Sequence, residues 1–233
     1  MSAQLPLALR YPPDQRFDTF VGAPPGALAL LRALAAGDPA AAGIYLAGPP
    51  GTGKSHLAIA ACAEAEGAGR SAAYLPLAAA AGRVRDALEA LDGRDLVAID
   101  DVDAVAGTRD DEVALFDFHN RATDAGHAVL YTAALPPDGV PLVLPDLRSR
   151  LAQCVRIPLA LLDDAGRAEV LRVRAARRGL QIDAGAIDWL LRRAGRDLAG
   201  LTALLDRLDR ASLAAQRRVT VPFLRQLWEG EGR

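Results

Sequence analysis

Short apolar runs alternate with longer amphipathic stretches as far as residue 160. GIYLAG from Gly43 reads as a buried strand, and AAYLPL near residue 72, LVAID from Leu96, AVLYTA from Ala128 and CVRIPL from Cys154 read as further strands. A segment long enough for a crossover helix separates each from the next, which predicts a parallel five-stranded sheet in a three-layer α/β domain. PPGALALLRALAAG, with proline at its start and glycine at its end, reads as a helix before the first strand. From Asp163 onward the strand signal vanishes. DDAGRAEVLRVRAARRG, DAGAIDWLLRRAG and DLAGLTALLDRLDRASLAAQ are helical, the last with Leu198, Leu201, Leu205 and Leu208 on one stripe opposite Asp206, Arg207 and Asp209. The expected organisation is an extended leader over residues 1–12, a sheet domain over 13–160 and a small all-helical domain over 161–233, with the boundary near Leu159 to Asp163.

Composition narrows this picture. Half of the 233 residues are apolar, enough for a real core, and a formal charge of -2 makes the whole protein no electrostatic partner for nucleic acid or an anionic membrane. Cys62 and Cys154 lie far apart in apolar surroundings, without a CxxC or a histidine cluster, and read as buried free thiols in a reducing cytoplasm. The leader lacks a basic n-region, and GALALLRALAA is interrupted by Arg32, so neither export nor membrane spanning is expected.

The strongest chemistry is GPPGTGKS, residues Gly48, Pro49, Pro50, Gly51, Thr52, Gly53, Lys54 and Ser55, between a predicted strand and a predicted helix. Backbone amides can converge on phosphate oxygens only where glycines let the chain turn back, and the following helix points its positive end at the anion. Lys54 would reach the outer phosphates and Ser55 would ligate Mg²⁺. Lys54 is the only lysine in the chain; a compact ammonium sits where arginine, the default basic residue here, was not used. LVAIDD supplies the second half: Asp100 to hold Mg²⁺ through water, Asp101 to orient or deprotonate a water. Without the glycine loop, that acidic pair would read as a helix N-cap. His56 lies next to the cradle, and Phe20 and Val21 are candidates for the adenine wall, although Phe17 and Phe20 could equally plug the core. His119, His127, Trp189 and Trp228 read as structural residues. Arg167, Arg172, Arg174, Arg177 and Arg178 form a basic face whose default is solvation, the sharper alternative being contact with DNA or a protein partner.

A P-loop sheet domain followed by a helical lid, with LRSRL near the fifth strand and GRDLAGL in the lid, resembles the AAA+ ATPases. The Asp100–Asp101 pair, GKSHL and LDRASLAAQRRVTVPF resemble the DnaA branch, and the whole chain resembles the Hda family, regulatory inactivators of the DnaA replication initiator. The resemblance implies that Arg150 is an arginine finger reaching a neighbouring subunit's nucleotide, and that Arg196 is the sensor 2 arginine through which the lid feels its own nucleotide. Guanidinium suits both roles, being permanently charged and able to grip two phosphate oxygens. At sensor 1 the chain departs from the family: Thr132 is followed by Ala133, Ala134 and Leu135 where a carboxylate is usual. This implies a protein that holds adenine nucleotide, ADP in particular, better than it hydrolyses it. QLPLAL matches the family's ligand pattern for the sliding clamp, the polymerase beta subunit: Gln4 would bond the groove's rim, and Leu5, Leu7 and Leu9 would share one side of a peptide that Pro6 keeps extended. A strand added to the protein's own sheet or an unstructured leader are the competing readings. The implied partners are DnaA and the clamp, with DNA reached indirectly, no membrane, and self-association left open. A helicase loader or DnaA-like initiator, and a stand-alone P-loop hydrolase, are the alternatives from other classes.

Overall fold

In the computed structural model, which describes residues 11, 12, 14–193, 198–215 and 218–231, five parallel strands form one sheet. They are β1 (Gly43–Ala47), β2 (Ala72–Pro76), β3 (Leu96–Asp100), β4 (Ala128–Ala133) and β5 (Val155–Pro158), in the spatial order β2-β3-β4-β1-β5. Every residue of β3 and β4 is buried, which is why their sequences show no polar alternation. One face packs Ile44, Leu46, Ala98 and Leu130 against α1 (Ala27–Ala36) and α2 (Lys54–Gly67). The opposite face packs Tyr45, Val97, Ile99 and Tyr131 against α3 (Val84–Glu89), α4 (Arg109–Asp124) and α5 (Pro145–Gln153). This is the expected three-layer αβα arrangement. Because β1 lies between β4 and β5, its C-terminal end faces the ends of β3 and β4, the place where open α/β sheets bind ligands.

The chain divides into two compact units at Ala160 and Leu161. The second is helical, built of α6 (Asp164–Arg177), α7 (Ala184–Arg193), α8 (Leu198–Ala215) and α9 (Val221–Glu231). Its core joins Leu171, Ile187, Leu190, Leu201, Leu205, Leu208 and Leu224. Asp163 caps α6, its carboxylate accepting from the Gly166 amide at 2.7 Å. Two details depart from the sequence reading. VTVPF opens a fourth helix beyond the three segments named from the sequence, with Pro222 in the first turn of α9. The strand signal does not vanish entirely, since Val219 and Ile182 form a single parallel bridge. Trp189 packs in this core, and the side chains of Leu198, Asp206 and Trp228 lie outside those described.

Cys62 and Cys154 are buried and free, and burial pushes their thiols up to about 12 and about 11 respectively. No helix among the described residues is long and apolar enough to cross a membrane.

Candidate nucleotide site

The glycine loop connects buried β1 to the start of α2, and its shape depends on close approaches that only glycine allows. A Cβ on Gly48 would lie 2.5 Å from the carbonyl oxygen of Leu159, and one on Gly53 would lie 2.6 Å from Cε2 of Phe20. Gly53 also turns through φ 88°, in the left-handed region where side chains cost energy. Thr52 donates its hydroxyl to the Pro49 carbonyl at 2.9 Å, tying the loop across its own mouth. Lys54 is 7% exposed, and its ammonium donates to the carbonyls of Gly48 at 2.5 Å and Pro49 at 3.2 Å. No carboxylate of the described residues lies within ion-pair distance of it. A buried cation held only by carbonyl oxygens, under a glycine loop at a helix start, suits a phosphate ligand.

Asp100 ends β3 with 2% exposure, and both of its carboxylate oxygens are engaged. Thr132 on β4 donates its hydroxyl to Oδ1, and Tyr74 on β2 donates its phenol to Oδ2 at 2.5 Å. The parallel register explains both contacts: Tyr74 pairs with Ala98, leaving Asp100 diagonally next on the same face, and Thr132 follows Tyr131, the partner of Ile99. Ser55 lies in the first turn of α2. Burial, and then the Asp100 carboxylate, push the Tyr74 phenol well above its ordinary range.

The hydroxyl of Thr132, the sensor 1 position, donates to Asp100 and accepts from the Asp101 amide at 3.0 Å. Asp101 has an exposed carboxylate and a left-handed backbone, φ 59°, alone among described non-glycine residues. Burial of its surroundings raises its carboxyl above the usual range, the Asp100 charge adds to this, and Lys54 opposes it. The strand end is also less short of carboxylates than the sequence implied. Asp103, in the turn after β3, accepts from the Ala134 amide at 2.7 Å and so stands beside the end of β4.

Phe20 is half-buried, its ring over Gly53 and edge-on to His56 at 5.3 Å; Val21 is also half-buried. His56 was expected against the nucleotide, but its Nε2 meets the Arg16 carbonyl at 2.9 Å and the Thr19 hydroxyl at 3.4 Å, clipping the entry segment to α2. Arg150 is exposed in the last turn of α5 and forms no ion pair among the described residues. Arg196, Gln4, Leu5, Leu7 and Leu9 lie outside the described residues. Tyr74, Asp103 and Glu112 are contributors that sequence reasoning missed, because their roles come from strand neighbours and loops distant in the chain. Glu112, fully buried in the first turn of α4, accepts from the amides of Gly107, Val143 and Leu144 at 2.8, 3.0 and 2.7 Å, and so fixes the entry to α5.

Residues 44–159 match the family model described as "ATPase family associated with various cellular activities (AAA)", and residues 164–228 match the Hda lid domain. The chain is a DnaA-related, Hda-like AAA+ protein. Solved structures agree on the fold. Domain III of the Thermotoga maritima replication initiation protein DnaA is similar with a TM-score of 0.75 and 18% identity over 91% of this chain and 95% of that one. A replication initiator DnaA bound to AMPPCP and single-stranded DNA has a TM-score of 0.68 and 20% identity over 87% and 70%. The Thermotoga maritima RuvB Holliday junction branch migration motor has 0.65 and 18% over 94% and 72%. In this AAA+ chain the described residues contain no group of three or more His, Cys, Asp or Glu side chains that could hold a metal. A Mg²⁺ ion, which keeps most of its waters and borrows phosphate oxygens, needs only the Ser55 hydroxyl and the buried Asp100 carboxylate that are present.

Proposed function

We propose that this protein regulates replication initiation by acting on DnaA: it holds adenine nucleotide, ADP in particular, is tethered to the sliding clamp, and offers Arg150 to the ATP bound by the initiator. The observation that carries this reading is the pairing of a complete phosphate cradle with an arginine displayed outside it. Arg150 is exposed and in no ion pair among the described residues, while Glu112 holds the entry to its helix by two backbone bonds, from Val143 and Leu144. A guanidinium so displayed can stabilise charge developing on a partner's γ-phosphate, an effect of about three to five orders of magnitude where fingers act in trans.

In the protein's own site, the amides of residues 51–55 and the Lys54 ammonium would bind the phosphates, and Ser55 with Asp100 would hold Mg²⁺, Asp100 through water. The cation's contribution there is charge neutralisation. Phe20 and Val21 would wall the base, and Arg196 would bring the lid to the phosphates. Asp101 and Asp103 place carboxylates at the strand ends, which supports slow intrinsic hydrolysis as a second activity; steady turnover by the isolated protein would measure it. The leader residues Gln4, Leu5, Leu7 and Leu9 supply the clamp tether, which brings an acidic protein to DNA without a basic surface of its own.

Arg150→Ala should leave fold and ADP binding intact and abolish stimulation of DnaA's ATP hydrolysis; retained stimulation overturns the finger role. Replacing Leu5 and Leu7 by alanine should remove co-elution with purified clamp in gel filtration and leave stimulation in free solution unchanged.

A further inference from the structure

At the end of the sheet opposite the glycine loop, a cavity of about 280 Å³ opens between the turn that leads into β3 and the last turns of α4. Its place follows from the register: Leu96 and Ala128, the first residues of β3 and β4, are paired, so the segments that precede both strands emerge side by side. The floor is apolar, made by Val97 on β3 and by Phe118 and Ala122 on α4, all buried, with Leu91 half-buried beside them. None of these residues belongs to the nucleotide site.

The rim carries charge. Arg121 holds Asp92 through two guanidinium nitrogens, Nε donating to Oδ2 at 3.1 Å and Nη2 to Oδ1 at 3.2 Å, so these two side chains neutralise each other. Arg94, half-buried in the same lining, has no hydrogen bond or ion pair from its side chain among the described residues. Asp95, its neighbour in the chain, does not line the cavity; its carboxylate accepts from the amide and the hydroxyl of Ser71, both at 2.7 Å. His127 is half-buried at the rim, and its ring can donate to an anion from a nitrogen that carries a proton. The result is an apolar chamber with one guanidinium at its edge that no described carboxylate compensates.

A chamber of this kind favours a ligand with an apolar body, and a guanidinium beside it favours a carboxylate, whose two oxygens match the planar fork. A phosphate suits the place poorly, because a dianion needs several converging donors and here one arginine and one imidazole would have to serve. The volume lies just below the roughly 300 Å³ at which pockets for drug-sized ligands begin, so the occupant is small. The structure assigns to this cavity a second binding site, for a small monocarboxylic acid with an aromatic or branched aliphatic body, its apolar part on Val97, Phe118 and Ala122 and its carboxylate on Arg94. The assignment does not depend on which nucleotide the glycine loop holds, and it gives a role to an arginine that pairs with no described acid.

The test titrates hydrocinnamate and hydrocinnamamide, the same body with and without the charge, into the isotopically labelled full chain and follows amide chemical shifts. The acid should bind with a Kd of about 1 mM or tighter, as a ligand of its size can. It should shift amides of residues 91–97 and 118–128 and leave those of Gly51, Gly53 and Ser55 in place. The amide should bind about tenfold more weakly, the difference between a charged and a neutral hydrogen-bonded pair. Arg94→Gln should bring the acid down to the level of the amide and leave the amide's affinity unchanged, which also serves as the control for fold. Ala122→Leu should fill the chamber and remove both ligands; if that variant does not fold, Arg94→Gln alone decides. No binding of the acid at about 10 mM, equal binding of acid and amide by the wild type, or a preference for the acid that survives Arg94→Gln overturns the assignment. So does an Arg94→Gln protein that loses both ligands, an Ala122→Leu protein that folds and keeps either, or binding that moves the glycine loop's amides and not the cavity's.

Discussion

Replacing Glu112 by alanine tests how the AAA+ sheet domain holds the helix that bears Arg150. The carboxylate has no exposed surface, and it accepts three backbone amides, those of Gly107, Val143 and Leu144. The contact with Leu144 is buried and the other two are partly so. Stripping a buried amide of a charged acceptor costs about 1.5–3 kcal/mol, and water can replace part of each of the other two, leaving about 0.5–1 kcal/mol apiece. Relief of the carboxylate's own desolvation offsets some of the total. The net expectation is about 3 kcal/mol, a large fraction of a typical domain stability of about 5–15 kcal/mol. Glu112→Gln should cost about half as much, because one oxygen still accepts while the new NH₂ faces an amide donor. Both tryptophans, Trp189 and Trp228, belong to the helical unit, so their fluorescence would report on the wrong part of the chain. Urea unfolding followed by amide hydrogen exchange along β4 and at Leu144 reads the sheet unit directly. A loss below about 1 kcal/mol with undiminished protection at Leu144 would show that the α5 entry is held by something else.

Gly53→Ala should destabilise the sheet unit by about 1–2 kcal/mol through the left-handed backbone alone, and should also displace the Phe20 ring that lies 2.6 Å from the new Cβ. Adding Phe20→Ala should recover the steric part and leave the backbone part, a distinction that a double-mutant cycle of thermal unfolding would expose. For Asp101, burial and the neighbouring Asp100 hold the folded pKa above the unfolded one. Its ionisation therefore opposes folding, and the stability linked to its protonated form is present in acid and lost as pH rises through the folded value. Asp101→Asn should raise the melting temperature at neutral pH, and the gain should shrink as the pH falls below the folded value and vanish below about 3, where the carboxyl is neutral in both states. A gain that is constant across this range would mean that the asparagine acts through its backbone preference for the left-handed region and not through charge.

The sequence by itself determined whatever is set by local chemistry. Strands buried on both faces must be apolar throughout, so β1, β3 and β4 were legible as runs, and a phosphate cradle must have its glycines and lysine at fixed offsets within one short loop. The lid's first three helices were legible for the same reason, since their apolar stripes repeat at the helical period. α9 was not, because VTVPF opens it with β-branched residues and a proline that suit an extended chain equally well. Only the tertiary structure decided which distant residues meet. The order β2-β3-β4-β1-β5 puts Tyr74 and Thr132 on either side of Asp100, and folding of the entry segment over α2 turns His56 toward Arg16 and Thr19. The same holds for Glu112, which looks like one more acid in a helix's first turn until loops from opposite sides of the sequence deliver three amides to it. Such contacts leave no periodicity and no spacing behind, because hydrogen bonds between strands and loops depend on which backbones lie side by side and not on their separation along the chain.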